Sequence, residues 1–388
     1  MRLKKRKKWI NSLIILWLLL LVNKAYTQEE NKFLLLDQEM TDIIRLKNKG
    51  LFSRLSSSLN KEEKIKSILK NADKALKRKI HAPADKEDVP PNGDKREFYS
   101  VAPYYWPNPN TKDGFPYIHK DGKTNPERSN PKKDDIYMRQ FCFDVRALGL
   151  AYYHTKDERY AKKAAQLGRL WFIDKDKSLR PRFKYGQIVP GRKAKGRSMV
   201  FIDTQHLIKA IDGILLIEGS DSWSKKDTEE IKKWFSELLT WMLTSKIGMQ
   251  GMTQSNNIGA SYDMQVIAYA IFTGQDSIAK MIVNEKVIPR IDTQISDNGQ
   301  QPFELRRTEP WRYSVANLNL LFNIAHMADK VDIDLWNYKT PQGKSIKKAY
   351  EWLLPYAKGN KKWIRKGNVD PTKDKQFKKL QRKASQHY

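Results

Sequence analysis

The chain has 388 residues, enough for one large domain or two ordinary ones with a sizeable buried core. Its formal charge of +29 favours polyanionic partners. A single cysteine, Cys142, excludes an intrachain disulfide framework and is expected to be a small buried core residue.

Arg2, Lys4, Lys5, Arg6, Lys7, Lys8 and Lys24 supply seven of those charges, leaving about +22 beyond residue 27. This basic cluster surrounds an apolar run at 9–22, shorter than the roughly 20 residues a membrane span needs. Ala25-Tyr26-Thr27 then offers a small-x-small cleavage site, so residues 1–27 read as a signal peptide, with an uncleaved anchor as the competing reading. The expectation is a periplasmic or secreted protein with no stable membrane insertion after cleavage. Export removes it from nucleic acid and matches its charge to an acidic glycan.

Residues 33–59 and 61–79 read as two helices, the second with Ile65, Ile68, Leu69, Ala72 and Leu76 at helical spacing. From 81 to 130 eight prolines and scattered glycines forbid a long helix. Loops of this length are functional or disordered, and the many tyrosines and tryptophans argue against disorder. Helices are then expected over 137–154, 158–174, 203–217, 227–245, 258–273, 276–285, 311–328 and 345–356. Short turns join them, the pattern of helical hairpins stacked around a common core, so the fold class is all-α. Two segments, 180–200 and 291–310, carry Gly, Pro and Arg and belong on the same rim as the aromatic loop if the hairpins form a ring. Residues 28–357 thus read as one domain. The lysine-rich stretch 358–388 reads as a basic, solvated extension.

The stretches 255–263 and 304–314 each open a helix with polar groups, and helix starts present unpaired N–H groups and a positive dipole end that suit an anion. The six histidines show no paired ligand spacing, and no CxxC, Gly-rich phosphate loop or GxSxG elbow occurs. A metal is therefore not implied. A paired-carboxylate glycoside hydrolase stays open, with Asp203, Asp263 and Glu304 as its acids. Each has a structural alternative: Asp203 as cap of a helix from Thr204, Asp263 inside a helix, Glu304 neutralised by the arginines that follow.

Several motifs occur together and in order: Tyr104-Tyr105-Trp106-Pro107-Asn108-Pro109, Asp113-Gly114-Phe115-Pro116-Tyr117-Ile118, Asp121-Gly122-Lys123-Thr124-Asn125-Pro126-Glu127, Ile202-Asp203-Thr204, Asn256-Asn257-x-Gly259, Gln301-Pro302-x-Glu304-Leu305-x-Arg307-Thr308 and Tyr313-Ser314. Over about residues 95–330 the chain resembles the alginate lyase family of polysaccharide lyases. The resemblance implies an (α/α) toroid or incomplete barrel, with the aromatic loop over a cleft. It also implies β-elimination at a uronic acid in an acidic polysaccharide, without a redox cofactor. That chemistry needs donors to neutralise the uronate carboxylate, because the C5 proton is otherwise too weakly acidic. By resemblance, Asn257 and Arg307 are the neutralising pair and Tyr313 transfers the proton. Arg307 or Arg312 would favour the Tyr313 phenolate.

One position departs from the pattern. Where the family usually has histidine after the asparagine pair, this chain has Ile258, which can neither donate nor accept a proton. Either catalysis proceeds without that histidine, or His206 supplies it, or the protein binds acidic glycans without cutting. A single tyrosine serving as base and acid requires the C5 proton and O4 on one side of the sugar, a syn elimination suited to β-mannuronan or β-glucuronan. Tyr104, Tyr105 and Trp106 are the expected platform for sugar rings. Tyr185, Arg192, Arg197, Gln205, Asn256 and Tyr262 are further substrate-binding candidates.

Overall fold

The structure, a computed structural model, describes residues 33–36, 54–129, 133–193, 195–367 and 369–388. The expected signal peptide and most of the expected helix at 33–59 lie outside the described residues.

The helices follow in chain order: α1 (Arg54–Lys77), α2 (Asp134–Thr155), α3 (Glu158–Phe172), α4 (Val200–Thr204), α5 (Leu207–Ile217), α6 (Lys225–Thr244), α7 (Lys246–Met252), α8 (Asn257–Phe272), α9 (Asp276–Ile282), α10 (Ile288–Gln294), α11 (Pro302–Leu305), α12 (Pro310–Ala328), α13 (Ile346–Ala357) and α14 (Lys375–Ala384). Their boundaries have local causes. Asp134 and Asp135 suit the dipole at the start of α2, and Lys156 ends it in the left-handed conformation at φ 59°. Asp157 caps α3, a Ser224–Asp227 capping box opens α6, and Ser345 caps α13.

Neighbouring helices pair into an incomplete toroid. On its inner side α2 packs along α5, and α8 along α12. α8 is buried on nearly every face, as a helix with apolar residues all round must be. The α2–α5 crossing depends on two glycines: a Cβ on Gly149 would lie 2.4 Å from the Gly213 carbonyl oxygen. Stacked Phe141 and Trp171, with Phe172, Trp234 and Phe235 beside them, fill the core between inner and outer helices. Cys142 is buried there as expected. No described helix is long and apolar enough to cross a membrane.

Four short strands organise the rim: β1 (Tyr99–Val101), β2 (Tyr105–Trp106), β3 (Ile118–His119) and β4 (Tyr185–Ile188). β1 pairs in parallel with β4, and β2 antiparallel with β3. The aromatic loop and the 180–200 segment therefore lie together, over the ends where the inner helices begin. Tyr99 N–H donates to Asp134 at the start of α2, and Gln187 Nε2 donates to Asp203 in α4, just before α5.

Three expectations need correction. The helix expected over 203–217 is broken between Thr204 and Leu207 into α4 and α5. The helix expected over 276–285 continues through a π-helical turn at Val283–Val287 into α10. The stretch after 358 is not simply solvated: α14 buries Phe377, Leu380 and Ala384, and Trp311 Nε1 donates to its cap residue Asp374 at 2.7 Å. Apolar residues spaced three and four apart in a lysine-rich helix give one buried stripe and one charged face.

Candidate active site

The start of α8 anchors the site. Asn256 caps the helix, its Oδ1 accepting the Ile258 N–H at 3.1 Å. The Asn257 N–H donates to Glu304 Oε1 at 2.9 Å, while its carboxamide has no partner among the described residues. Glu304, on α11, is 1% exposed, and its Oε2 is buried without a hydrogen-bond partner among them. Burial pushes its carboxyl up to about 7, against the opposing pull of the Asn257 N–H and Arg307.

Arg307 follows α11. Its Nη2 and Nε donate to Asp121 at 2.7 and 3.2 Å, and the Thr308 hydroxyl donates to the same carboxylate at 3.2 Å. The guanidinium lies 3.8 Å from the centre of the Tyr313 ring, at the first turn of α12. The Tyr313 hydroxyl is 2.9 Å from the Tyr104 hydroxyl. Asn257, Glu304, Arg307, Tyr313 and Tyr104 thus form one continuous cluster. It joins the starts of two inner helices to the aromatic loop. Burial and the Tyr104 hydrogen bond raise the Tyr313 phenol well above its usual range and outweigh Arg307. The expectation that a neighbouring arginine favours the phenolate is corrected: here Tyr313 rests as the phenol.

On the loop, Trp106 Nε1 donates to the Lys123 carbonyl at 2.9 Å. The Tyr105 ring meets the guanidinium groups of Arg192 at 5.5 Å and Arg197 at 5.0 Å. These three candidates come together, with part of the ring face already taken by cations.

Other candidates lie elsewhere. Tyr262 is fully buried and its hydroxyl donates to the Met242 carbonyl at 3.0 Å, so it is a core residue: one turn along α8 from Ile258, its side chain turns inward. Tyr185 is buried in β4. Gln205 Nε2 donates to the Ile202 carbonyl within its own turn. His206 stacks obliquely on Phe143 at 5.4 Å, and among the described residues no hydrogen bond or ring contact joins it to Asn257, Arg307 or Tyr313. Burial first, then Lys209, Arg139 and Arg128, pushes its imidazole down to about 3, so it stays neutral.

Two of the three acids considered for hydrolysis are engaged by arginines, whereas Glu304, expected to be neutralised by the arginines that follow it, makes no ion pair among the described residues. Asp263 accepts Arg290 Nε at 2.6 Å, and Asp203 is held by Arg128 and by Gln187 at 2.8 Å inside α4, not as a helix cap. A Cβ on Gly259 would strike Arg290, so that glycine makes room for the Asp263 ion pair.

Two neighbours escaped the sequence reading. Asp121, quoted only as part of a motif, orients Arg307. His119 pairs with Tyr105 across the hairpin, its ring 5.2 Å from Tyr105 and 6.5 Å from Tyr104. The Asp113-Gly114 turn signal between two aromatic stretches could have revealed that pairing.

Residues 82–363 match the family described as Alginate lyase. The chain belongs to the alginate lyase family. This polysaccharide lyase is similar to the crystal structure of an alginate lyase from Bacteroides ovatus, with 35% identity and a TM-score of 0.79 over 83% of this chain and 85% of that one. Alginate lyase A1-III from Sphingomonas species A1 aligns with 15% identity and a TM-score of 0.47, over 76% of this chain and 78% of that one. A histidine-to-alanine variant of A1-III complexed with tetrasaccharide aligns with 15% identity and a TM-score of 0.48, over 76% and 77%. No curated protein matches the lyase's sequence.

Proposed function

We propose that this lyase cleaves a β-linked uronan, mannuronate-rich alginate or a glucuronan, by syn β-elimination with Tyr313 as both base and acid. The observation that carries the reading is the contiguous Asn257–Glu304–Arg307–Tyr313–Tyr104 cluster, in which Ile258 stands at the usual histidine position. The Asn257 carboxamide and Arg307 receive the uronate carboxylate and stabilise the charge that develops on it. The ionised Tyr313 oxygen takes the C5 proton, and that electron pair becomes the C4–C5 double bond as the C4–O4 bond breaks. The departing O4 takes the same proton back from Tyr313, which restores the base. An exported enzyme would meet such a polymer outside the cytoplasm.

Two rival readings remain outcomes of one experiment. A protein that only binds acidic glycans would show retention without turnover. A hydrolase would release reducing ends without the ultraviolet absorbance of the unsaturated product, but the engagement of Asp203 and Asp263 by arginines speaks against it. The test is an ultraviolet time course on polymannuronate, polyguluronate and glucuronan. The proposal expects absorbance to rise on a β-linked polymer and to be lost in Tyr313→Phe. Guluronan as the preferred substrate would count against the tyrosine-only scheme.

A further inference from the structure

At the seam of the toroid, α1 and α2 from the start of the domain face α14 from its end. A cavity of about 600 Å³ opens between them. Lys64, Lys74 and Arg78 line one side, Arg146 of α2 the middle, and Lys379 and Lys383 of α14 the other. Asp144 is paired with Arg78, and Asp212 lies 3.6 Å from Arg146. Among the described residues the cations that line the cavity outnumber those two carboxylates. Lys74 and Lys379 are exposed. Phe143, 42% exposed, also lines the cavity, with the Lys209 ammonium 5.7 Å from its ring centre and His206 5.4 Å away. Burial first, then Arg146, pushes the Lys209 ammonium down to about 8. None of the residues of the Asn257–Tyr104 cluster lines this cavity.

A partly exposed aromatic ring flanked by lysines is the chemistry that suits an acidic sugar: the free part of the ring packs on the C–H side of a pyranose and the cations take its carboxylate. A small inorganic anion needs neither the phenyl ring nor this space, whereas ligand cavities run to roughly 300–1,000 Å³. We propose that the seam cavity is a second binding site for acidic oligosaccharide, separate from the cleft, with carboxylates on Lys74 and Lys379 and a sugar ring on Phe143. The assignment of a uronate ligand rests on the proposed function. A chain held at the seam raises the effective concentration of its other segments at the cleft, so the site acts on polymer and not on short oligomers.

The test is affinity electrophoresis through native gels containing polymannuronate, in the Tyr313→Phe background. The paired substitution Lys74→Glu with Lys379→Glu, and separately Phe143→Ala, should each weaken retention roughly tenfold. Lys226→Glu with Lys233→Glu on α6 matches the charge change away from the seam and should leave retention near the parent. In the enzyme with Tyr313 intact, the seam substitutions should raise KM on polymer and leave turnover of short oligomers unchanged. Retention unaltered by the seam substitutions, or lowered equally by the α6 pair, overturns the site. Retention relieved by tripolyphosphate but insensitive to Phe143→Ala also overturns it, in favour of a simple anion site. Lyase activity with unaltered retention sinks the seam site alone. Seam-dependent retention without lyase activity on any uronan sinks the proposed function alone.

Discussion

The Tyr104 and Tyr313 hydroxyls lie 2.9 Å apart although 209 residues separate them in the chain. One stands on the irregular loop and the other on the first turn of α12, so the contact closes the loop onto the helix. Because burial and this contact both raise the Tyr313 phenol, turnover should climb with pH through the alkaline range as the ionised fraction grows. Tyr104→Phe removes one of the two causes and should move that limb to lower pH by roughly one unit. A pH profile of kcat for both proteins checks it, and coincident limbs would refute the coupling.

Glu304 gives a signed stability prediction. Its folded carboxyl titrates near 7, above the ordinary 4.5, so the folded state binds the extra proton between those values. Stability from this group is fully present below about pH 4.5 and is lost as pH rises towards 7, by up to about 3 kcal/mol. Urea unfolding of Glu304→Gln, which keeps an acceptor for the Asn257 N–H, should show a smaller loss between pH 5 and pH 8 than the parent does. Equal losses would contradict the buried-acid assignment.

Asp121 touches no proposed reacting atom, yet it fixes Arg307 through two hydrogen bonds. Asp121→Ala frees the guanidinium, and kcat/KM should fall by roughly 10–100-fold, the scale of small misplacements in a positioned site. Circular dichroism and Tm should change little, because both side chains are partly exposed at the rim. A large Tm drop would make the pair structural.

The C-terminal helix should matter for stability. Phe377 is fully buried and touches Trp311 and Tyr350, so Phe377→Ala should cost roughly 3–5 kcal/mol in denaturant unfolding. A stretch that is merely solvated predicts no measurable change.

Much of this was legible in the sequence. The paired-helix pattern carried the fold class because helical apolar spacing and caps such as Ser224 and Ser345 are local signals. Asn257, Arg307 and Tyr313 were legible by family resemblance, and the structure links them through Glu304. What escaped depends on long-range packing. Tyr262 looked available because helical spacing does not say which face of α8 turns inward when all faces are buried. Asp121 became informative only when the loop brought it to Arg307, 186 residues away. The α14 stripe was hidden by its lysines, since composition reports the charged face and the buried face holds only three residues. The Tyr313 phenol was misjudged because Arg307 is visible in sequence and burial is not.

The most direct test of the account is the ultraviolet time course on polymannuronate with the parent protein and Tyr313→Phe side by side. Proton transfer by Tyr313 predicts a steady rise in absorbance from the unsaturated product and its loss in the variant. A rise that persists in Tyr313→Phe would contradict the assignment of proton transfer to this tyrosine.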